Sequence, residues 1–537
     1  MSKAKPRLSL CMVVRDEEGD LPRALGSVQE LVDEIIVVDT GSVDDSRQIA
    51  RSFGAKVYDH PWQDDFSAPK NLALEKARGK WVLILDADEE LLAEDREKIR
   101  QAVGSPGDAE GYLFSLVNYT GETPGAQYEL TLNLRLFRNR PGYRFSRPVH
   151  EQLSELKPGN KLVSRPDIRI LHYGYLEPYL VRKQKRERNF SILQRRVGAG
   201  QADSFDYFNL GVEYNRQNRW QEALIALQLA RKLQSGGPMW LSACCRVQIQ
   251  CLLQLQAWDE ALQETEVSLE VYPDYADLVY LRGIALAGKG QYPQALGAFY
   301  QAAALEGLVP HGYARDPGLT SYKAHYSIAQ AYLQLGQRDE AVSALRKALK
   351  QEAGYRPALL SLARCLAGNG EGELAKLESL IEGGGEERYL TLAEICHEAG
   401  LLKIAQEFLS RYRGQLPPDY IFLQGILHWK TGAYREAAAA LGLCGPDHHR
   451  AREATLLSWG CRWLLGEVPD PDRELKELGC SQADCDFLVR LFLDEADRAL
   501  QQSEQDFPGV PVLANYRARL DHCRQLVCQG DRSLDTN

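Results

Sequence analysis

Through the second half of the chain a small residue is followed, again and again, by an alanine twelve positions later. Gly211 pairs with Ala223, Gly283 with Ala295, Ala329 with Ala341 and Gly425 with Ala437, and Ile249 takes the small position before Ala261. Three residues after the first member of each pair come Tyr214, Leu252, Leu286, Tyr332 and His428. Four after the alanine come Leu227, Thr265, Phe299, Leu345 and Leu441. The step from Ile249 to Gly283 is 34 residues. A period of this length leaves little choice of fold: each unit is a pair of helices that approach closely at the small positions, and stacking buries the faces that one unit leaves open.

The pattern resembles the tetratricopeptide repeat. It is clear over 203–350 and degenerate over 351–528, where "TLAEICHEAGLLKIAQEFL" still sets Ala393 and Ala405 in register, and 529–537 reads as a flexible tail. Before residue 175 the grammar differs. "LSLCMVV", "EIIVVD", "AKVYDH" and "WVLILD" are short apolar runs separated by amphipathic stretches such as "LPRALGSVQELV" and "APKNLALEKARGK". Buried strands alternating with helices imply parallel strands covered on both faces, an α/β layered domain. "GYLFSLVNYT" and "LTLNLRLFRN" add a smaller β region. The first domain is expected to end at residue 178, with the basic stretch "RKQKRERNFSILQRR" in a connecting helix over 179–202.

Whole-chain chemistry narrows the partners. A net charge of -10 and a pI near 5.7 repel polyanions, so nucleic acid is not expected. No apolar run approaches the roughly 20 residues of a membrane span, and the start lacks a signal-peptide core, so a cytoplasmic protein is expected. Of twelve cysteines, Cys11 alone precedes residue 244, which fits reduced thiols. The pairs Cys480 with Cys485 and Cys523 with Cys528 lack the further ligands a zinc site needs.

In an open parallel sheet, ligands bind beyond the carboxyl ends of the strands. Three apolar runs end there in charge: "CMVVRDEE" at Arg15 and Asp16, "EIIVVDTGSVDDS" at Asp39, and "WVLILDADEE" at Asp86 and Asp88. Asp39 closes a strand, whereas Ser42, Asp44 and Asp45 read as a turn and helix cap. In an extended chain Asp86 and Asp88 point the same way, about 6.5 Å apart, and could share one cation. Hard oxygen ligands favour Mg²⁺ or Mn²⁺, completed by phosphate oxygens of a substrate. Glu89 and Glu90 are expected to open the next helix, at its positive end.

"SLCMVVRDEEGDLPRALGSV", "EIIVVDTGSVDDS", "APKNLALEKARGKWVLILDADEEL" and "LRLFRNRPGYRFSRPVHEQL" together resemble the successive motifs of family-2 glycosyltransferases of the GT-A fold, marked by the Asp-x-Asp cluster. The resemblance spans about residues 7–195, in the branch that joins this domain to tetratricopeptide repeats and includes lipopolysaccharide-core and bacteriocin-peptide glycosyltransferases. It implies that Arg15, at the first strand end, and Asp39 hold the nucleobase, that Asp86 holds the ribose or metal, and that Asp88 binds the metal. It also implies a metal or diphosphate contact at His172 and an acceptor-side base at Glu151, with His150 the runner-up. Lys70 stands where the family pattern has arginine, which keeps a basic diphosphate contact without bidentate geometry. Arg182, with Lys183 and Arg186, follows His172 closely enough to reach the diphosphate.

The reaction so implied is inverting, metal-dependent hexosyl transfer from a nucleotide-diphosphate sugar, expected to be a UDP-sugar, to a peptide, protein or glycan acceptor, with Mn²⁺ or Mg²⁺ as cofactor. The repeats offer an extended surface for a protein partner or for self-association, and need not touch the chemistry. Two alternatives are a non-catalytic repeat scaffold with a vestigial transferase domain and a nucleotide-sugar pyrophosphorylase. The acidic first loop "CMVVRDEEGDLPR" argues against the second.

Overall fold

The computed structural model describes residues 7–125, 127–154, 161–179, 185–234, 240–307, 313–366 and 385–465, with isolated positions at 378, 467, 468, 473 and 478. Two compact units result, Met1–Gly354 and Tyr355–Asn537.

The first unit opens with four parallel strands, β1 (Leu8–Val14), β2 (Glu34–Asp39), β3 (Lys56–Asp59) and β4 (Trp81–Ile84). The apolar runs of β1, β2 and β4 are buried on both faces, with alternate side chains entering different cores. Leu10, Met12 and Val14 pack with Leu21, Leu25 and Ile99 on one side, while Cys11 packs with Ala73, Leu74 and Phe137 on the other. Helices α1 (Leu21–Val28), α2 (Ser46–Ser52), α3 (Ser67–Lys76) and α4 (Arg96–Gly104) cover these faces.

The expected smaller β region joins the same sheet. Strands β5 (Glu89–Leu91), β6 (Gly111–Thr120), β7 (Gln127–Arg138) and β10 (Leu162–His172) extend it to eight strands in the order β3-β2-β1-β4-β7-β6-β10-β5. Antiparallel pairing of β7 with β4 makes the sheet mixed rather than all parallel. Only the short hairpin of β8 (Arg144–Ser146) and β9 (Gln152–Ser154) stands apart. Glu89 and Glu90 do not open a helix. They lie in β5, paired in register with His172 and Leu171, and the next α-helix starts at Arg96.

Helix α5 (Lys185–Gly198) leads into the first repeat helix, α6 (Ser204–Arg216), and helical pairs then continue to Gln351. The small positions do what their spacing predicts. A Cβ on Gly211 would stand 2.6 Å from Leu227 Cγ, and one on Gly283 would stand 2.5 Å from the Phe299 ring. Ala223, Ala261, Ala295 and Ala341 are fully buried. The repeats also grip the sheet. Leu130 of β7 and Arg315 exchange backbone hydrogen bonds of 2.8 and 3.0 Å, and Arg246 pairs at 3.3 Å with both Glu129 of β7 and Asp277.

The second unit repeats the same helical pairing. Helix Pro418–Lys430 packs on Tyr434–Gly442, where a Cβ on Gly425 would meet Leu441 Cγ at 2.5 Å. No helix among the described residues is long and apolar enough to cross a membrane.

Candidate active site

The strand register brings the charged strand ends to one rim. Val14 pairs with Asp39, and Ile84, two residues before Asp86, pairs with Cys11. Asp39 is fully buried. Its Oδ1 accepts the backbone N–H groups of Gly41 (3.0 Å) and Ser42 (3.1 Å), and the Arg47 guanidinium donates to it at 2.7 and 2.8 Å. Burial pushes this carboxyl up, but the Ser42 and Arg47 donors outweigh it and hold its pKa below the usual aspartate value. Oδ2 takes a long contact from the Ser42 N–H, at 3.4 Å. Arg15 is exposed, with its nearest ion pair a loose 3.8 Å contact to Asp16. Asp16 in turn clasps the neighbouring loop, accepting the Val43 N–H at 2.8 Å. The expected Ser42–Asp45 turn forms, with Asp44 accepting the Ser46 N–H.

Strand β4 stops at Ile84, and Ala87 and Asp88 occupy a turn, so Asp86 and Asp88 do not stand side by side on an extended chain. Their partners differ. Asp86, partly exposed, faces Lys70 Nζ at 3.4 Å and Arg135 at 3.7 Å. Burial raises its pKa, yet Lys70 and then Arg135 win and lower it. Asp88 is buried, with Oδ1 3.7 Å from His172 Nε2. The other ring nitrogen, Nδ1, lies 2.8 Å from Asn118 Oδ1, an acceptor, so a neutral ring with its proton on Nδ1 would present a lone pair at Nε2.

Beneath this turn Arg135 reaches up from β7 and closes an ion pair with the wholly buried Glu89. Burial pushes the Glu89 carboxyl up to about 8, against the pull of Arg135. Arg135 and Asn118 are supporting residues that sequence reasoning missed, as it missed Arg188. An arginine between Leu134 and Leu136, in the alternating series Thr131, Asn133 and Arg135, was the available signal for the first. Asn118 had none.

The donor set fits a divalent cation. Asp88 and His172 are too far apart to hydrogen-bond, and their separation suits two ligands of one ion at about 2.0–2.2 Å each. Asp86 is aimed elsewhere, at Lys70 and Arg135.

His150 and Glu151 sit at the tip of the β8–β9 hairpin. Glu151 forms an ion pair with Lys70, whose ammonium therefore bridges Asp86 and Glu151. Burial works against the Lys70 charge, but Asp86 and Glu151 more than compensate and raise its pKa. His150 has a buried Nε2 without a hydrogen-bond partner among the described residues, and burial lowers its pKa. Arg182 and Lys183 lie outside the described residues. Farther along the same basic stretch, Arg188 lies over the rings of Phe66 (4.8 Å) and Trp62 (5.6 Å), with a buried Nε that has no hydrogen-bond partner among the described residues. Burial and then Arg15 lower its pKa, while Glu17, Asp64 and Asp88 oppose them, so Arg188 belongs to this charged rim.

Residues 9–162 match the family model for glycosyl transferase family 2, and residues 326–379 match a tetratricopeptide-repeat model. The chain carries a family-2 glycosyltransferase domain joined to tetratricopeptide repeats. A TPR repeat-containing protein from Synechococcus elongatus is 39% identical over 218 residues, covering 39% of this chain and 53% of that protein. The glycosyltransferase SunS from Bacillus subtilis is 26% identical over 226 residues, 41% of this chain and 52% of SunS. An uncharacterized glycosyltransferase from Rickettsia typhi is 32% identical over 138 residues, 25% of this chain and 47% of its own length. The chain thus spans about half the length of the curated relatives it matches. For the glycosyltransferase domain, the rim at the strand ends is the natural place for donor chemistry.

Proposed function

We propose that this protein moves a sugar from a nucleotide diphosphate, a UDP-sugar, to a peptide, protein or glycan acceptor, with inversion at the sugar carbon. The observation that carries the reading is the rim itself. Asp88 faces His172 on one side of Asp86, and Lys70 ties Asp86 to Glu151 on the other. In this reading residues 1–178 do the chemistry, 179–202 connect, 203–350 and 351–528 are repeats for a protein partner or self-association, and the cytoplasm is the site of action.

Asp88 and His172 would hold a divalent cation, and their mixed oxygen and nitrogen donors suit Mn²⁺ better than Mg²⁺. Such an ion neutralises charge on a departing diphosphate. Arg15 and Asp39 bind the nucleoside end, with Asp39 Oδ2 as the acceptor for a base N–H. Asp86 contacts the ribose, and Lys70 with Arg188 offsets diphosphate charge. Glu151 takes the proton from the acceptor hydroxyl as that oxygen bonds to the sugar carbon and the carbon–phosphate oxygen bond breaks, releasing the nucleoside diphosphate. A second assignment of the base, His150, is favoured by its unpartnered, buried Nε2.

Incubating the full chain with UDP-, GDP- and dTDP-sugars and Mn²⁺, and measuring released nucleoside diphosphate, tests the reading. Turnover of one donor, reduced at least about 100-fold in Glu151→Gln, supports it, on the usual 10²–10⁴ contribution of a general base. No turnover of any donor would contradict it.

A further inference from the structure

The hairpin tip between β8 and β9 contains two non-glycine residues in the left-handed region, Arg147 (φ 84°) and His150 (φ 53°). Such a backbone persists only where its surroundings over-determine it. One side of the restraint comes from α3: Phe66 N–H donates to the Pro148 carbonyl at 2.9 Å, and the Ser67 hydroxyl donates to the Arg147 carbonyl. The other side comes from the first repeat.

Arg147 donates from both terminal nitrogens to Asp203, one bond being 2.9 Å, and its guanidinium lies 5.0 Å over the Phe205 ring. Asp206 stands 3.5 Å from the same guanidinium and is itself held by Arg196 at 2.8 Å. Asp203 and Asp206 are the reciprocal capping pair at the start of α6, so the group that grips Arg147 is fixed by the helix it caps. Beside this clamp, Val149 is buried against Ile192, Leu193 and Leu210, from α5 and α6. Glu213 and Arg216, on the last turn of α6, act on His150 through their charges.

We infer that the first repeat is a working part of the transferase site: through Arg147, Asp203 and Asp206 position the hairpin tip so that His150 and Glu151 face the acceptor. These are positioning residues. They touch neither donor nor metal ligands, and the inference rests on the acceptor-side assignment made above. It replaces the expectation that the repeats need not touch the chemistry.

The test uses the full-length chain and the variants Arg147→Gln, Arg147→Lys and Asp203→Asn. Asparagine caps helices as well as aspartate, so Asp203→Asn removes the charge while leaving α6 capped. With the donor that the wild type turns over, we expect kcat to fall at least about tenfold in Arg147→Gln and Asp203→Asn, in line with the cost of small misplacements near reacting groups. UDP affinity measured with Mn²⁺ should stay within about twofold, because no donor-side residue is changed, and Arg147→Lys should recover part of the loss. Unchanged kcat, or a loss of UDP affinity in proportion to kcat, would overturn the inference. If no donor is turned over, hydrogen exchange of residues 145–152 decides it alone. Faster exchange there in Arg147→Gln, with β1 and β4 unchanged, supports the clamp, and equal exchange overturns it.

Discussion

At the residue scale the site is a chain of charges rather than a set of isolated ligands. Glu151, Lys70, Asp86, Arg135 and Glu89 run from the hairpin tip to the interior, each paired with the next. Glu89 has no role in binding that needs its exposure. It anchors Arg135, which in turn faces Asp86. Removing Arg135 would leave the buried Glu89 carboxyl, already pushed up to about 8, without its hydrogen-bond partner, and Arg135→Leu should lower unfolding free energy by about 1–3 kcal/mol in chemical denaturation. Replacing both partners, as Arg135→Leu with Glu89→Leu, should cost less than the single change, because no buried polar group of the pair is left without a partner. The two base assignments also separate at this scale. If His150 is the base, its lowered pKa keeps it neutral at pH 7, so kcat falls only as pH drops below about 6.5, and His150→Gln removes that limb. Retention of the limb in His150→Gln would exclude His150 as the base. Asp39, Asp86 and Asp88 were legible as strand-end acids from sequence. Of their partners, His172 was implied by the resemblance, whereas Arg135 and Asn118 were not, because they come from distant strands whose pairing no local pattern encodes.

At the scale of elements, periodicity was the reliable guide and charge the misleading one. The four parallel strands, β6, β7 and the strand ending at His172 stand where alternation of apolar runs placed them. "DADEE" looked like a helix start because acids favour the positive end of a helix. Glu89 pairs instead with an arginine 46 positions later, and the chain forms an edge strand on β10. The repeats were legible because their signal is steric. Gly283→Ala would drive a methyl group to 2.5 Å from the Phe299 ring and should destabilise by about 1–3 kcal/mol. Gly297, in the partner helix Tyr292–Ala304, has nothing within 4 Å of an added Cβ, and Gly297→Ala should stabilise by about 0.5–1 kcal/mol. Thermal melts of the two variants, which should shift in opposite directions, check the packing.

Across the first unit as a whole, the hairpin clamp and β7 both fasten the solenoid to the sheet domain. The second fastening contains a buried ion network. Burial pushes the Asp277 carboxyl up to about 7, Arg246 pulls it down, and Asp316 pushes it up again. Its folded pKa lies above the unfolded value of about 3.9, so its contribution to stability is complete below pH 4 and is lost as pH rises through 7. We expect the melting temperature to decline between pH 5 and 8 more steeply in the wild type than in Asp277→Asn, and equal slopes would refute a raised Asp277. The net charge of -10 told only of solubility and partners, and nothing in composition announced that the repeats would seat themselves on the sheet. The most direct measurement is calorimetric titration of UDP into the full chain, with and without Mn²⁺, for the wild type and Asp88→Asn. Binding that strengthens with Mn²⁺ in the wild type, and is at least about tenfold weaker and indifferent to Mn²⁺ in Asp88→Asn, is the expected result. Equal UDP affinity in all four titrations would contradict a metal-assisted donor site at Asp88 and His172.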